Sequence, residues 1–125
     1  MIDTTEIGYA IFYAYGFITE KRFDDWRNKP SENDPSKTNE QYAIDEAEEK
    51  VYNGRCEAER IGIADLYDEW IATEKAYFKH CKEASALDDE EKVLQKKRIV
   101  LSKKVYLRSL GISEEDAEKY WEEAK

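Results

Sequence analysis

The apolar residues of this 125-residue chain recur at intervals of three or four along most of its length. This spacing places them on one side of an α-helix, whereas a half-buried strand would alternate apolar and polar residues. Only 2 Pro and 5 Gly are available to interrupt such helices. The pattern predicts an all-α fold, a bundle of five or six helices built on a long antiparallel helical hairpin.

We interpret residues 1–125 as a single helical domain, because this length suits one hydrophobic core. Residues 1–28 are expected to form an N-terminal helix-turn-helix corner. Residues 29–39 contain both prolines and many small polar residues, which are typical of an exposed loop. Residues 40–109 are expected to form the helical hairpin, and residues 113–125 the C-terminal helix.

Helix starts are marked by short polar side chains that can accept a hydrogen bond from the backbone three residues later. Thr19 can start a short second helix in the same way. Gly16 and Gly111 are expected to end the helices that precede them. The clearest start signals are the pairs Asp3 with Glu6, Thr38 with Gln41, Asp88 with Glu91 and Ser113 with Asp116.

Helical periodicity continues from Thr38 to about Ala84, and Asn53-Gly54 is the place where it can be interrupted. We favour a break or kink there, with one continuous helix as the alternative. The apolar positions before the middle of this stretch are mostly small, which predicts a close helix neighbour, and those after it are large and aromatic. The two sets are Ile44, Ala47, Val51, Gly54, Ala58 and Ile61, and then Ile63, Tyr67, Trp70, Tyr77, Cys81 and Ala84.

Positive charge is concentrated in one segment. Residues 92–108 contain seven Lys or Arg and no Asp or Glu, although the formal net charge of the chain is −9, so the remaining residues sum to −16. Apolar residues lie in three stripes around this helix, which predicts a central helix whose cations pair with the acidic segment 39–69. The alternative, a nucleic-acid recognition helix, needs an exposed face and is not favoured.

The first helix carries aromatic residues on nearly all sides. Burial in the core is the favoured interpretation, and the alternative is that one side anchors a partner protein. The three tryptophans, Trp26, Trp70 and Trp121, each fall on an apolar helical stripe and are therefore expected to pack in the interior.

The sequence contains no motif for catalysis, cofactor binding or metal binding. Its single histidine, His80, excludes a di-iron bundle with two Glu-x-x-His motifs. His80 and Cys81 are adjacent on a helix and point about 100° apart, so they do not form a nucleophile and base pair. We therefore predict no enzymatic activity, no cofactor and no metal. The two cysteines lack metal spacing, and no signal peptide or membrane segment is evident, so we expect a cytoplasmic protein.

Carboxylates on a helical body can imitate phosphate groups and steer a basic partner toward the surface. We therefore hypothesise a non-enzymatic interaction protein, an acidic phage or bacterial inhibitor of the nucleic-acid-mimic type that docks on a basic surface of a target protein. The alternative is a structural component of a virion or packaging machine that oligomerises through its hairpin. We expect a monomer or small homo-oligomer that binds neither nucleic acid nor membrane. The candidate partner-binding residues are Asp45, Glu46, Glu49, Glu57, Asp65, Tyr9 and Tyr13.

Overall fold

The computed structural model describes residues 2–18, 20–83 and 89–123, and excludes from them the side chains of residues 81–83, 117 and 120–123. Within these residues it contains six α-helices and no strand, which confirms the all-α prediction. The helices are α1 (Thr4–Ile11), α2 (Asp24–Arg27), α3 (Asn39–Arg60), α4 (Ala64–Glu83), α5 (Asp89–Ser109) and α6 (Glu114–Glu123). The expectations for Thr19, Asp88, Ala84 and the side chains of Cys81 and Trp121 lie outside the described residues.

The predicted helix starts follow from local hydrogen bonds between a side chain and the backbone three residues later. Each such bond satisfies one of the amide groups that the first turn of a helix leaves without a partner. Three of the predicted starts are confirmed: Glu6 N donates to Asp3 Oδ1 at 3.0 Å, Gln41 N to Thr38 Oγ1 at 3.1 Å, and Asp116 N to Ser113 Oγ at 3.2 Å.

The first helix does not end at Gly16. After α1 the chain continues as a π-helix over Phe12–Phe17, and Gly16 lies inside it without a positive φ. The expectation that Gly16 caps the helix is therefore wrong. A Cβ atom at this position would lie 3.4 Å from both Phe12 and Phe78, so the glycine allows α4 to approach closely.

The interruption of the long middle stretch lies further along than expected. α3 runs through Asn53-Gly54 without a break and ends at Arg60, so the favoured break at that dipeptide is wrong. Gly62 follows with a φ of +81°, and the amide of Ile63 donates to the carbonyl of Ala58 at 2.8 Å. This bond and the left-handed glycine are the features of a Schellman motif, which ends α3 and turns the chain into α4.

Helices α3, α4 and α5 lie side by side, each antiparallel to the next. Salt bridges between residues 48 and 75, 55 and 68, and 69 and 97 connect the neighbouring helices and follow this antiparallel order. The segment 4–18 packs across all three helices. The main core lies between these elements, and Trp70 is fully buried in it, as predicted; its neighbours include Ile2, Ile7, Ile11, Ala58, Ile63, Tyr67, Ile71, Phe78, Leu101 and Val105.

Helix α5 lies at the edge of the bundle and buries one side only. Leu101 and Val105 are buried, whereas Val93, Ile99 and Tyr106 have exposed fractions of 64%, 45% and 38%. The prediction of a central helix is therefore wrong. Of its three apolar stripes, the one that contains Leu94, Leu101 and Val105 is the most covered, so an apolar residue on this helix is not always a core residue.

Candidate partner-binding site

Aromatic side chains cover the outer side of the N-terminal segment. The exposed fractions of Tyr9, Trp26 and Phe12 are 67%, 42% and 38%, so the expectation of core burial is wrong for these three. Tyr13 and Tyr15 are partly buried and pack against the core. The interior is filled instead by the aliphatic stripe of the same segment, Ile7, Ile11, Ala14 and Ile18. We refer to the following residues as the aromatic surface: Tyr9, Phe12, Tyr13, Phe17, Phe23 and Trp26.

The rings of the aromatic surface hold one another in place. The ring centroid of Phe17 lies 4.6 Å from that of Phe23 and 6.0 Å from that of Tyr13, and Tyr13 meets Trp26 edge-on at 6.4 Å. The Arg22 guanidinium lies 4.7 Å from the Phe23 centroid. Because these contacts restrict the rings before any partner arrives, binding here would lose little side-chain entropy.

A groove of about 460 Å³ separates the loop that follows α2 from α3. It continues from the aromatic surface, because Tyr13 and Trp26 form part of its wall. Three aromatic rings and two carboxylates therefore face one concave space. The residues that give the groove this character are Tyr13, Trp26, Glu32, Tyr42 and Glu46.

The loop wall of the groove is held by backbone hydrogen bonds. The amide of Ser31 donates to the carbonyl of Lys37, and the amide of Asn39 to that of Lys29, both at 2.8 Å. The side-chain amide of Asn39 also donates to the carbonyl of Trp26 at 2.7 Å, which connects the start of α3 to the end of α2. The groove is therefore formed by ordered backbone on both sides.

The carboxylates of the groove are exposed. Glu32 and Glu46 form no salt bridge with any residue of the described ranges. Burial, followed by the charges of Tyr9 and Glu46, raises the pKa of Tyr13 above its ordinary value. Tyr13 therefore stays protonated at neutral pH and can donate a hydrogen bond beside an acidic rim.

The structure brings together only some of the predicted partner-binding residues. Tyr13 and Glu46 meet at the groove, Tyr9 lies on the adjoining aromatic surface, and Glu49 is exposed one turn further along α3. Asp65 lies elsewhere, at the start of α4 beside Lys104 and Arg108 of a different cleft.

Two further predicted residues are occupied by contacts within the chain. Asp45 forms a salt bridge with Lys37 at 2.8 Å and accepts a hydrogen bond from Gln41, and these two contacts lower the pKa of its carboxyl. Glu57 is half-buried and pairs with Arg60. A partner would have to compete with these cations, so Asp45 and Glu57 are poor docking points.

Most of the negative charge of α3 is balanced locally. Five of its seven carboxylates form salt bridges with cations of the described chain: Glu40 with Arg27, Asp45 with Lys37, Glu48 with Lys75, Glu57 with Arg60, and Glu59 with Arg55. The sequence overstated the acidic surface, because cations both on α3 itself and from other segments neutralise it in the fold.

Four of the seven cations of α5 form salt bridges as well, but mostly with other segments than predicted. Of the segment 39–69 only Glu69 takes part, and the remaining partners lie further along α4 and on α6. The salt bridges are Lys97 with Glu69 at 3.5 Å, Arg98 with Glu74 at 3.2 Å, Lys104 with Glu118 at 3.0 Å, and Arg108 with Glu114 at 4.0 Å.

This pairing predicts that α5 does not bind nucleic acid. We expect no measurable binding of a short DNA duplex or single strand at physiological salt, because four of the seven cations are engaged by carboxylates and the few others can displace few counterions from phosphate. A filter-binding or anisotropy titration tests this. Binding that weakens steeply with salt, and that Lys92→Glu with Lys96→Glu abolishes in a folded variant, would contradict the prediction.

The sequence did not indicate Trp26, Tyr42 and Glu32 as site residues. Trp26 lies on a helix of only four residues, which is too short to bury a large side chain between neighbours. Glu32 lies in the loop, where periodicity carries no information. The one signal of this site in the sequence was that Trp26 is followed closely by a loop that contains both prolines.

No protein-family model, curated protein or solved structure matches this chain. Among the described residues there is no group of three His, Cys, Asp or Glu side chains placed to hold a metal ion. None of the helices within those ranges combines the length and the apolar character that crossing a membrane requires.

Proposed function

We propose that this chain is a non-enzymatic interaction protein that binds a basic segment of a partner protein in the groove between α3 and the loop that follows α2. The single observation that carries the proposal is the convergence of Tyr13, Trp26 and Tyr42 with Glu32 and Glu46. A partner of this kind that uses the same basic segment for its own activity would be inhibited.

Aromatic and acidic groups together favour a cationic side chain. The face of an aromatic ring attracts a guanidinium or ammonium group, and a carboxylate adds a charge-assisted hydrogen bond. The chain makes such contacts internally: Arg22 lies over Phe23 at 4.7 Å and Arg98 over Tyr77 at 4.8 Å. In the groove the corresponding cation would come from the partner.

The distribution of free carboxylates supports local docking more than an extended imitation of nucleic acid. A phosphate-like array needs a run of unpaired charges, whereas most carboxylates of α3 are neutralised by salt bridges. Glu46 and Glu49 are left exposed on one side of the helix. The acidic character then serves chiefly to speed the encounter with a basic partner.

The proposal can be tested with a hexa-arginine peptide as a model basic segment. We expect saturable binding by fluorescence anisotropy, weakened about tenfold or more by Trp26→Ala, because central aromatic residues dominate such interfaces. Glu46→Lys should weaken binding mainly through slower association. Stopped-flow mixing measures that rate.

Two variants on α3 serve as matched controls. Tyr52→Ala removes an aromatic ring that is 68% exposed but lies outside the groove, and Glu49→Lys makes the same charge reversal one turn away. Tyr52→Ala should bind the peptide nearly as well as the unaltered chain, and Glu49→Lys should slow association clearly less than Glu46→Lys does. Equal losses from Glu46→Lys and Glu49→Lys would show nonspecific charge attraction and contradict docking in the groove.

A second candidate function is a structural component that assembles through α5. The observation in its favour is the exposure of Val93, Ile99 and Tyr106 on the outer side of that helix. The small-residue side of α3 is not available for assembly, because Ala47, Gly54 and Ala58 are buried within the chain. A stable assembly in light scattering that Ile99→Lys dissociates would favour this second function.

A further inference from the structure

Glu74 on α4 is a buried carboxylate whose two oxygens differ in their hydrogen bonds. Its side chain is 3% exposed. Oε1 accepts hydrogen bonds from Trp70 Nε1 at 3.0 Å and from Arg98 Nε at 3.2 Å. Oε2 is buried as well, and it has no hydrogen-bond partner among the described residues. A buried oxygen of a carboxylate in this situation retains its full capacity to accept a hydrogen bond.

Glu74 lines a cleft of about 420 Å³ between α1, α4 and α5, and its Oε2 is covered at the wall of that cleft. A Cβ atom at Gly8 on α1 would lie 3.9 Å from Oε2, and both residues line the cleft. Gly8 therefore places no side chain between α1 and the carboxylate. A volume of this size is within the range of small-molecule sites.

The walls of the cleft suit a cation with an apolar stem. Tyr9 and Phe12 offer ring surface, and Thr4, Thr5 and Ser102 offer hydroxyl groups. The Arg98 guanidinium does not fill this role itself, because it lies over the rings of Tyr77 and Phe78 at 4.8 and 5.2 Å and bonds Oε1.

We propose that the cleft binds the primary ammonium group of a small organic amine, with Glu74 Oε2 as the acceptor and the rings of Tyr9 and Phe12 along its stem. An ammonium group has three donors, so it can bond the carboxylate and a hydroxyl at the same time. Charge-assisted hydrogen bonds are about twice as strong as neutral ones, which favours an amine over an alcohol of equal length. An anion would meet an unpaired acceptor and is disfavoured. This site is separate from the groove and does not depend on the function proposed for it.

The test uses n-pentylamine as the probe and n-pentanol as its neutral counterpart. Because Trp70 Nε1 bonds the same carboxylate, its indole N–H signal in a ¹⁵N-resolved NMR spectrum should shift on titration with the amine. A shift of the Trp26 signal would report separate binding in the groove. Trp70→Phe assigns the signal. We expect saturation by amine concentrations of about 10 mM and a weaker effect of the alcohol. No shift of the Trp70 signal, or equal effects of amine and alcohol, would overturn the proposal.

Two variants locate the amine. Gly8→Ala places a methyl group beside Oε2 at an ordinary contact distance and suits a helix, so the protein should fold while amine affinity falls about tenfold or more. Glu74→Gln should also abolish the preference for amine over alcohol. The control is Glu69→Gln, which removes an exposed carboxylate one turn earlier on α4 and should leave binding unchanged. Undiminished binding by Gly8→Ala would place the amine elsewhere and refute the site.

Discussion

Replacing Arg98 with Ala should destabilise the protein by about 3 kcal/mol at about pH 8, because it leaves the charge of Glu74 buried without a countercharge. Glu74 is 3% exposed, whereas Arg98 is 25% exposed, so the loss lies at the lower end for a broken buried pair. Urea unfolding followed by circular dichroism measures it.

The loss should shrink as the pH is lowered. Burial raises the pKa of Glu74 in the folded protein, and the Arg98 charge opposes that shift, so the variant should have a still higher folded pKa. Between the unfolded and folded pKa values the folded state binds more protons, and stability therefore rises as the pH falls through the folded pKa. At about pH 5 part of the lost stability should return.

Lys97→Ala is the matched control for this prediction. Lys97 precedes Arg98 on α5 and forms a comparable salt bridge with Glu69, but both side chains are about half exposed. Removing it should cost about 0.5 kcal/mol or less at either pH. If Arg98→Ala loses the same stability at both pH values, the cause is lost packing on Tyr77 and Phe78 and not the unpaired charge.

A second large effect is expected from Gly54→Ala. A Cβ atom at this position would lie 2.9 Å from Ile7 Cδ1 and closer still to the hydroxyl oxygen of Tyr67. Tyr67 cannot easily move, because its hydroxyl donates to the carbonyl of Val51 at 2.7 Å. We expect a loss of about 2 kcal/mol, although helix propensity alone would favour alanine by about 1 kcal/mol.

Gly8→Ala is the counterpart for comparison. It makes the same substitution inside a helix, but its Cβ atom would meet only Glu74 Oε2, at 3.9 Å. Thermal unfolding should therefore show opposite shifts, downward for Gly54→Ala and upward for Gly8→Ala. Equal upward shifts would mean that α1 and α4 can move away from Gly54 without cost.

Local sequence signals predicted the helix starts well, because each start depends on residues that are three positions apart. Asp3, Thr38 and Ser113 all make the expected hydrogen bonds. The break between α3 and α4 was misplaced for a related reason. Gly54 and Gly62 look alike as helix breakers, and only the approach of Ile7 and Tyr67 in the fold distinguishes a packing glycine from a capping one.

The groove could be predicted only in part. Periodicity does not tell whether the aliphatic or the aromatic residues of a helix are the ones buried in the interior. The first segment has both an aliphatic stripe and many aromatic residues, and the aliphatic stripe fills the core. Trp26 and Tyr13 therefore remain at the surface. Glu32 and Glu46 lie on a loop and a helix that are joined by backbone hydrogen bonds, which no spacing in the sequence records.

The order of the helices also bears on how the chain folds. Helices α3, α4 and α5 each pack against the helix that follows in the chain, and contacts between such neighbours close short loops and are expected to form early. The segment 4–18 instead contacts helices as far along the chain as α5. It precedes them in the chain, yet it can make all of its contacts only when they are in place. Until it docks, Ala43 and Ala47 on α3 lack the cover that Ala14 and Ile18 give them. We therefore expect the docking of this segment to close the core and to build the wall of the groove at the same time.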